Sequence, residues 1–306
     1  MNTFTIRDIE NLTGIKAHTL RVWEQRYGII KPIRKDGNHR QYGIDDLKKI
    51  LRISYLYHDG YKVSRIAEMS DSEIRKQALE FLPKGSHEVF INQMMESSID
   101  LDEISFRSAM DSVLLHLGLE RATTLVIYPF FRKVGMLWVT GKIVPAQEHF
   151  ATNIIRNKII LATSLIKAKK IVANCKYLIF CPQGEFHEIP ILLVQYSLTQ
   201  RGIPSVYFGV NTNMDMISDF LEKNEATHLF LHLITNFTHL EPCTFLNDLR
   251  LRFPKLNIQA SGMAFKDVKV DNDKTMVFDS MKDFVSYIDQ GEQNSSSPTH
   301  YPRSNT

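Results

Sequence analysis

Three patterns of apolar residues follow one another along the chain, and each predicts a different architecture. In the first, apolar residues three apart over 6–12 predict a short helix, and Leu20 and Trp23 predict a second helix over 17–27. Gly14 lies in the break between them. Two helices joined by a tight glycine-containing turn predict a helix-turn-helix.

The segment after this motif has the pattern of a β-hairpin. Residues 31–35 and 39–42 flank Asp36-Gly37-Asn38, which is a strong turn signal. We expect a basic wing beside the second helix, followed by two amphipathic helices over 44–57 and 63–69.

The second pattern is purely helical and begins after a Pro and Gly-containing boundary at 82–86, which we interpret as a hinge. Apolar spacing and loop lengths predict a bundle of four helices. Their expected ranges are 86–98, 102–117, 120–139 and 145–169.

In the third pattern, short apolar strands alternate with amphipathic helices, which predicts a parallel sheet covered by helices. The strands are expected at 177–181, 205–208, 228–232, 258–260 and 275–278. The fold class is therefore multidomain, with an N-terminal winged helix-turn-helix, a four-helix bundle and a C-terminal α/β Rossmann-like (flavodoxin-like) domain. The predicted boundaries are 1–75, 76–170 and 171–289, with a disordered tail over 290–306.

Composition places few further limits on this picture. The chain has 306 residues, of which 43% are hydrophobic, and no apolar run approaches the roughly 18 residues of a membrane span. We therefore expect a cytoplasmic protein with no membrane partner. Three cysteines without metal-ligand spacing predict neither a disulfide framework nor a zinc site.

The charge is distributed unevenly. Residues 1–85 contain 16 Lys and Arg against 11 Asp and Glu, while the whole chain contains 37 against 34. A positive N-terminal part favours contact with phosphate there, although a neutral helical domain has a similar balance.

Two groups of residues carry candidate ligand chemistry. Glu185 and His187 follow the first predicted strand of the sheet, where a carboxylate can orient an imidazole toward a metal. Trp138, Glu148 and His149 fall at one end of the predicted bundle. From the residues alone, His187 can equally be a solvent-exposed helix start, Trp138 a packing residue, and the Glu-His pair solvated.

The N-terminal motifs resemble those of a known family. The run 19–28, the segment Pro32-Ile33-Arg34 and the segment His39-Arg40-Gln41-Tyr42 resemble the DNA-binding domain of MerR-type transcription regulators. The resemblance implies that one group of side chains holds phosphates, and these are Arg21, Tyr27, Arg34, Arg40 and Tyr42. It implies that His18 and Thr19 lie nearest the bases, and Arg26 and His39 complete the candidate DNA-binding set.

Together with the ligand residues, nearly the whole chain resembles the cobalamin-binding MerR-type repressors of the CarH and LitR type. This resemblance implies that Trp138, Glu148 and His149 cap the upper face of a cobalamin and that His187, oriented by Glu185, is its lower cobalt ligand. His232, Ser261 and Gly262 occupy the positions that line the pocket of the nucleotide tail.

The sequence departs from that family at four places. Pro190 stands where the family loop has glycine, His232 replaces a serine, and Ser261-Gly262 replaces paired glycines. Val139 stands where light-sensing members can carry a second histidine, which disfavours a bis-histidine product.

The resemblance implies a regulator that binds an operator in double-stranded DNA as a dimer or tetramer and senses cobalamin and light. One alternative is a regulator with a cobalamin-independent sensor or dimerisation domain, which a protein antirepressor can bind. Another is an enzyme, a corrinoid methyltransferase component, but that class has no use for a recognition helix and a basic wing.

Overall fold

The structure, a computed structural model, describes residues 3–35, 39–58, 60–80, 87–139, 145–167, 175–234, 241–266, 268, 270 and 273–294. The chain forms two compact units, Met1–Ile154 and Ile155–Thr306. The first contains the helix-turn-helix and most of the helices that follow it, and the second contains the parallel sheet.

The N-terminal module is a helix-turn-helix with a three-stranded wing. Its elements are β1 (Phe4–Thr5), α1 (Ile6–Thr13), α2 (Ala17–Tyr27), β2 (Ile33–Lys35), β3 (His39–Tyr42), α3 (Ile44–His58), α4 (Val63–Ala67) and α5 (Asp71–Glu80). Strand β3 pairs antiparallel with both β1 and β2. The predicted helix-turn-helix and hairpin are confirmed. Strand β1 was not predicted, because a strand of two residues is too short to show an alternation of apolar and polar positions. The hairpin turn at 36–38 lies outside the described residues.

Local chemistry explains where α1 begins and ends. The Thr5 hydroxyl accepts the Asp8 N–H at 3.3 Å, and the Asp8 carboxylate accepts the Thr5 N–H at 2.7 Å. This reciprocal capping satisfies donors that the first helical turn leaves unpaired. Gly14 ends the helix in the left-handed conformation, with φ 72°.

The helical region that follows consists of four helices. They are α6 (Glu88–Asp100), α7 (Glu103–Ala122), α8 (Tyr128–Val139) and α9 (Pro145–Ser164), with a π-helical turn, Thr123–Ile127, between α7 and α8. Gly118 interrupts α7 with φ 68° and ψ 165°, at the position where the sequence predicts a break. Helix α9 ends at Ser164, earlier than the predicted 169, and the predicted hinge at 82–86 lies outside the described residues.

The C-terminal unit is a five-stranded parallel sheet with helices on both faces. Its elements are β4 (Tyr177–Pro182), α10 (Ile189–Gln200), β5 (Ser205–Thr212), α11 (Met214–Lys223), β6 (His228–His232), α12 (Pro242–Arg252), β7 (Asn257–Ser261), β8 (Thr275–Phe278) and α13 (Met281–Asn294). The strand order is β5-β4-β6-β7-β8, and all neighbouring strands run parallel. This is the flavodoxin-like order, in agreement with the predicted fold class.

Two apolar layers sandwich this sheet. Phe230 and the odd-numbered residues of β4 pack against α10 and α13. Leu178, Phe180 and their neighbours pack against α11 and α12 on the other face. Strand β4 is buried along its whole length, as expected for a central parallel strand covered on both sides.

Helix α13 corrects one boundary of the prediction. It continues to Asn294, so residues 290–294 are helical rather than part of a disordered tail. Residues 295–306 lie outside the described part of the chain. Within the described residues, no helix combines the length and the apolar character that a membrane span requires.

Candidate functional site

The loop that follows β4 lies at the switch point of the sheet. The chain leaves β4 through α10 to reach β5 on one side, and β6 lies on the other side of β4. Connections that diverge in this way open a crevice at the carboxyl ends of the two strands, where open α/β sheets bind ligands. Residues 183–188 leave β4 at this crevice, and Leu233 and Ile234 leave β6 beside them.

A buried carboxylate organises the crevice. Glu185 has no exposed surface, and its Oε1 accepts the backbone N–H groups of Phe186 at 2.8 Å and His187 at 3.0 Å. Its Oε2 accepts the N–H of Ile234 at 2.8 Å, which ties the loop after β6 to the loop after β4. Burial raises the pKa of Glu185, but the donors from His187 and Ile234 outweigh it and lower the pKa to about 2.

The same carboxylate orients the imidazole of His187. Glu185 Oε1 lies 2.5 Å from His187 Nδ1, and the His187 side chain is 51% exposed. An imidazole held at Nδ1 coordinates a metal through Nε2. The Cys181 thiol donates to the His187 carbonyl at 3.6 Å, and burial raises the pKa of this thiol, which keeps it a donor.

A second set of contacts holds the end of this loop. Glu188 Oε1 accepts the Tyr207 hydroxyl at 2.9 Å and Arg156 Nη2 at 3.4 Å, while Arg156 Nε pairs with Glu188 Oε2. Arg156 lies in the part of α9 that belongs to the second unit. Sequence reasoning missed Arg156, because nothing near it in the chain indicates a carboxylate partner in the loop.

Pro190 occupies the first turn of α10. A residue there needs no backbone donor, so proline begins the helix without losing a hydrogen bond. Pro190, which stands where the family loop has glycine, is therefore compatible with the helix that begins after His187.

His232 and Ser261 meet at the ends of β6 and β7. His232 Nδ1 lies 2.8 Å from the Ser261 hydroxyl, and burial lowers the pKa of His232 to about 4, so the ring is neutral at pH 7. Gly262 follows with φ 112°, and a Cβ there would lie 2.2 Å from the Leu233 carbonyl oxygen. Only glycine fits this approach of the two loops.

Orphaned polar atoms lie on the α10 side of the sheet. Among the described residues, His232 Nε2, Gln259 Oε1 and Ser197 Oγ are buried without a hydrogen-bond partner. Gln259 lies opposite Phe230 in the register, which puts it on the face that packs against α10, the helix of Ser197. Buried polar groups are normally bonded, so these three atoms suit a polar ligand in this layer.

These features together fit a corrinoid. In the described part of the chain, no three His, Cys, Asp or Glu side chains cluster to hold a bare metal ion. A single imidazole held at Nδ1 is a suitable ligand for a metal that a macrocycle already holds. The exposed ring of Phe186, next to His187, adds apolar surface of the kind that a large ligand covers.

The remaining cofactor candidates belong to the helical region. Glu148 lies in the first turn of α9, where its Oε1 accepts the Thr152 hydroxyl at 2.7 Å. His149 Nδ1 is 3.6 Å from Glu148 Oε2, and the histidine side chain is 72% exposed. Trp138 lies at the end of α8, and its side chain is outside the described part of the chain.

Helix α2 presents the candidate DNA-binding residues of the N-terminal module. His18, Arg21 and Arg26 are exposed, Thr19 and Tyr27 are half-buried, and the Arg26 guanidinium lies 5.5 Å from the Tyr27 ring centroid. Val22 is 48% exposed on the same helix, where its side chain could contact a thymine methyl group. Sequence reasoning missed Val22 because its apolar character indicates core.

Two residues of the wing, Arg40 and Tyr42, are not exposed as expected for side chains that hold phosphates. Tyr42 is 1% exposed, so its ring is part of the module core rather than open to phosphate. The Arg40 guanidinium pairs with Glu24 Oε2 at 2.5 Å, and both side chains are mostly buried, so Arg40 joins the wing to α2. The side chains of Arg34 and His39 lie outside the described residues.

Comparison with known proteins identifies the N-terminal module and the helical region that follows it. Residues 4–73 match the MerR HTH family of regulatory proteins, and residues 90–162 match the family described as B12 binding domain. The chain is a MerR-type regulator with a B12-binding domain. The resemblance predicted from its motifs is thereby confirmed.

Two homologues cover most of the regulator. It is 24% identical to the HTH-type transcriptional repressor CarH of Myxococcus xanthus over 214 residues, 68% of this chain and 71% of CarH. It is 27% identical to the HTH-type transcriptional repressor CarA of the same organism over 216 residues, 69% of each chain. The homologues are thus repressors of transcription.

The fold of the regulator is also similar to a solved structure. The monomethylamine corrinoid protein of Methanosarcina barkeri aligns with a TM-score of 0.52 and 15% identity, over 67% of this chain and all of that protein. At this identity the likeness concerns the fold alone.

The exposed face of α2 generates a prediction about DNA binding. Arg21→Ala should weaken binding of the regulator to duplex DNA of any sequence and reduce the salt slope of log affinity by about 1, because one phosphate contact is lost. Fluorescence anisotropy titrations at several salt concentrations measure both quantities.

Arg107→Ala is the matched control, because Arg107 is an arginine on α7 whose side chain is 40% exposed and pairs with Glu103. We expect no change in its salt slope. An Arg21→Ala slope equal to that of the parent would show that this face of α2 does not meet DNA.

The contacts of Glu188 generate a second prediction. Arg156→Gln should speed hydrogen exchange of the backbone amides of 183–188 and destabilise the second unit by about 1 kcal/mol, because Glu188 loses its cationic partner. Hydrogen exchange followed by mass spectrometry measures the first effect, and urea unfolding measures the second.

Arg252→Gln provides a comparison, because Arg252 is 42% exposed against 40% for Arg156 and also pairs with a carboxylate, that of Asp215. Exchange of 183–188 should stay at the parent rate in Arg252→Gln. Equal rates in the two variants would mean that Arg156 does not hold the loop.

Proposed function

We propose that the regulator binds operator DNA in the cytoplasm as a homodimer or homotetramer, and that its C-terminal half senses a cobalamin. Cobalamin, and light acting through it, would control oligomerisation and operator binding. The observation that carries this proposal is the His187 imidazole, held by a buried carboxylate at the switch point of the sheet.

In this proposal His187 binds the cobalt through Nε2. Glu185 keeps the other ring nitrogen bonded, which sets the tautomer and increases the basicity of the coordinating nitrogen. The donors around Glu185 lower its pKa to about 2, so its carboxylate is ionised at neutral pH. Bound cobalamin would supply a cobalt ion, and the His187 imidazole would hold it.

Other residues would hold the remainder of the ligand. His232, Ser261 and Gly262 are proposed contacts at the ends of β6 and β7, where the partnerless His232 Nε2 supports the assignment. Trp138, Glu148 and His149 are proposed contacts from the helical region, on the basis of the resemblance to the CarH and LitR type.

For the DNA half, His18, Thr19, Arg21, Arg26 and Tyr27 are the proposed contacts on α2, together with Arg34 and His39 of the wing. Arg40 is proposed as a support of the wing, since its guanidinium is bound to Glu24. Two copies of the module would bring a second half-site to high effective concentration, so the oligomeric state would set the affinity.

The proposal includes no catalytic step. The fold is similar to that of a corrinoid protein over 67% of the chain, but the homologues that align over 214 and 216 residues are repressors. A helix-turn-helix with an exposed basic face suits DNA recognition and has no part in methyl transfer.

Cobalamin retention tests the proposal. The full chain is mixed with adenosylcobalamin in darkness and desalted, and its visible spectrum and elution volume in size-exclusion chromatography are recorded before and after green light. We expect the parent to retain corrin absorbance and His187→Ala to lose it, because the imidazole that would hold the cobalt is removed. Glu185→Gln should weaken retention about 10–100-fold.

His116→Ala serves as the control, because His116 is an exposed histidine on α7 whose Nδ1 contacts the Ser112 carbonyl. It should retain corrin as the parent does. If the parent retains no corrin absorbance, the cobalamin assignment is wrong, and the sensor half is a cobalamin-independent module or a binding site for a protein antirepressor.

A further inference from the structure

The DNA-binding module is packed against the helical region within the first unit. Arg52 of α3 pairs with Glu96 of α6, with Nε 2.8 Å from Oε1. Lys48 of α3 pairs with Asp100 of α6. These ion pairs join two segments that the sequence separates with a predicted hinge.

Lys133 of α8 contacts the N-terminal half of the same helix α6. The residue is 9% exposed, and its ammonium donates to three acceptors, the Leu12 carbonyl at 2.7 Å, Glu88 Oε2 at 2.7 Å and Asn92 Oδ1 at 3.3 Å. An ammonium has three protons, so each one has an acceptor. One cation therefore connects α1 of the DNA-binding module with α6 and α8.

Asn92 extends the connection to α3. It has no exposed surface, and its Nδ2 donates to the Ser54 hydroxyl at 3.1 Å, which in turn donates to the Leu51 carbonyl at 2.7 Å. A chain of hydrogen bonds thus runs from α3 through α6 to α8 and α1. Buried polar chains of this kind fix one geometry, because sliding would leave members unsatisfied.

The contact with Leu12 meets a need of α1 itself. The last four carbonyls of a helix have no intrahelical donor, and the negative end of the helix dipole favours a cation there. Leu12 lies in the last turn of α1, so Lys133 caps this helix from another part of the chain. The cap is lost if the module turns away from α8.

Helix α1 is linked directly to the recognition helix. Glu10 Oε2 accepts the N–H of Ala17, the first residue of α2, at 3.2 Å, and Lys16 lies 3.1 Å from Glu10 Oε1. The orientation of α1 therefore sets that of α2. A residue that holds α1 acts on the DNA-binding face without touching it.

We propose that Lys133 is a positioning residue for DNA binding, which fixes α1 and, through α1, the recognition helix α2 in one orientation on the helical region. A shift of α8 would then reach the DNA-binding face as a shift of α2. This role does not depend on the identity of the ligand that the second unit binds.

The positioning role of Lys133 is tested by measuring a distance between the DNA-binding module and the helical region of the first unit. Spin labels are placed at Arg7→Cys and Ser108→Cys, both exposed positions, in the full chain with Cys175→Ser and Cys243→Ser. Double electron–electron resonance should give one narrow distance distribution for the parent. Lys133→Met, which keeps the apolar stem and removes the three donors, should lose that narrow distribution while its far-UV circular dichroism is unchanged.

Arg132→Met is the matched control, because Arg132 is the exposed neighbour of Lys133 on α8 and should keep the narrow distribution. Glu88→Gln provides a second variant should Lys133→Met fail to fold, because the Glu88 side chain is 48% exposed and only its charge is removed. It should broaden the distribution. The proposal is overturned if every variant that folds keeps the parent distribution.

A DNA measurement separates positioning from direct contact. Lys133 is buried, so Lys133→Met should keep the parent salt slope on a random-sequence duplex, in contrast to Arg21→Ala. A reduced slope would instead indicate that Lys133 meets phosphate, which would also overturn the proposal.

Discussion

The candidate site depends on one buried negative charge. Glu185 lies without exposed surface where the connections of the parallel sheet diverge, and a buried carboxylate is stable only if donors surround it. It finds them in two loops, the backbone and ring of His187 after β4 and the Ile234 N–H after β6. The need to satisfy this charge therefore fixes both loops and the imidazole in one arrangement.

The rest of the loop follows from that constraint. Pro190 lies in the first turn of α10, so the helix begins directly after the site. Glu188 is held between Tyr207 of the sheet and Arg156 of α9. The histidine is thus flanked by two carboxylates, Glu185 and Glu188, that are each held by further contacts.

The N-terminal part of the regulator is built on a similar use of charge. Arg40 and Glu24 join the wing to the recognition helix, and Lys133 joins the first helix to the helical region. Buried charges therefore hold the parts of the first unit together, while His18, Arg21 and Arg26 remain exposed on α2. Some basic residues in this part of the chain therefore form structural contacts, and others are exposed on the candidate DNA-binding face.

The sequence by itself determines the order and type of the main elements, the break at Gly118 and the position of His187 after a buried strand. Apolar spacing and turn residues act over a few positions, so they can be read along the chain. Only the tertiary structure decided that Tyr42 is core, that Arg40 is bound by Glu24 and that Ile234 donates to Glu185. It also decided that Lys133 caps a helix 121 residues away. These contacts join residues that are distant in sequence, and packing selects the partner of each buried polar group where no local pattern encodes it.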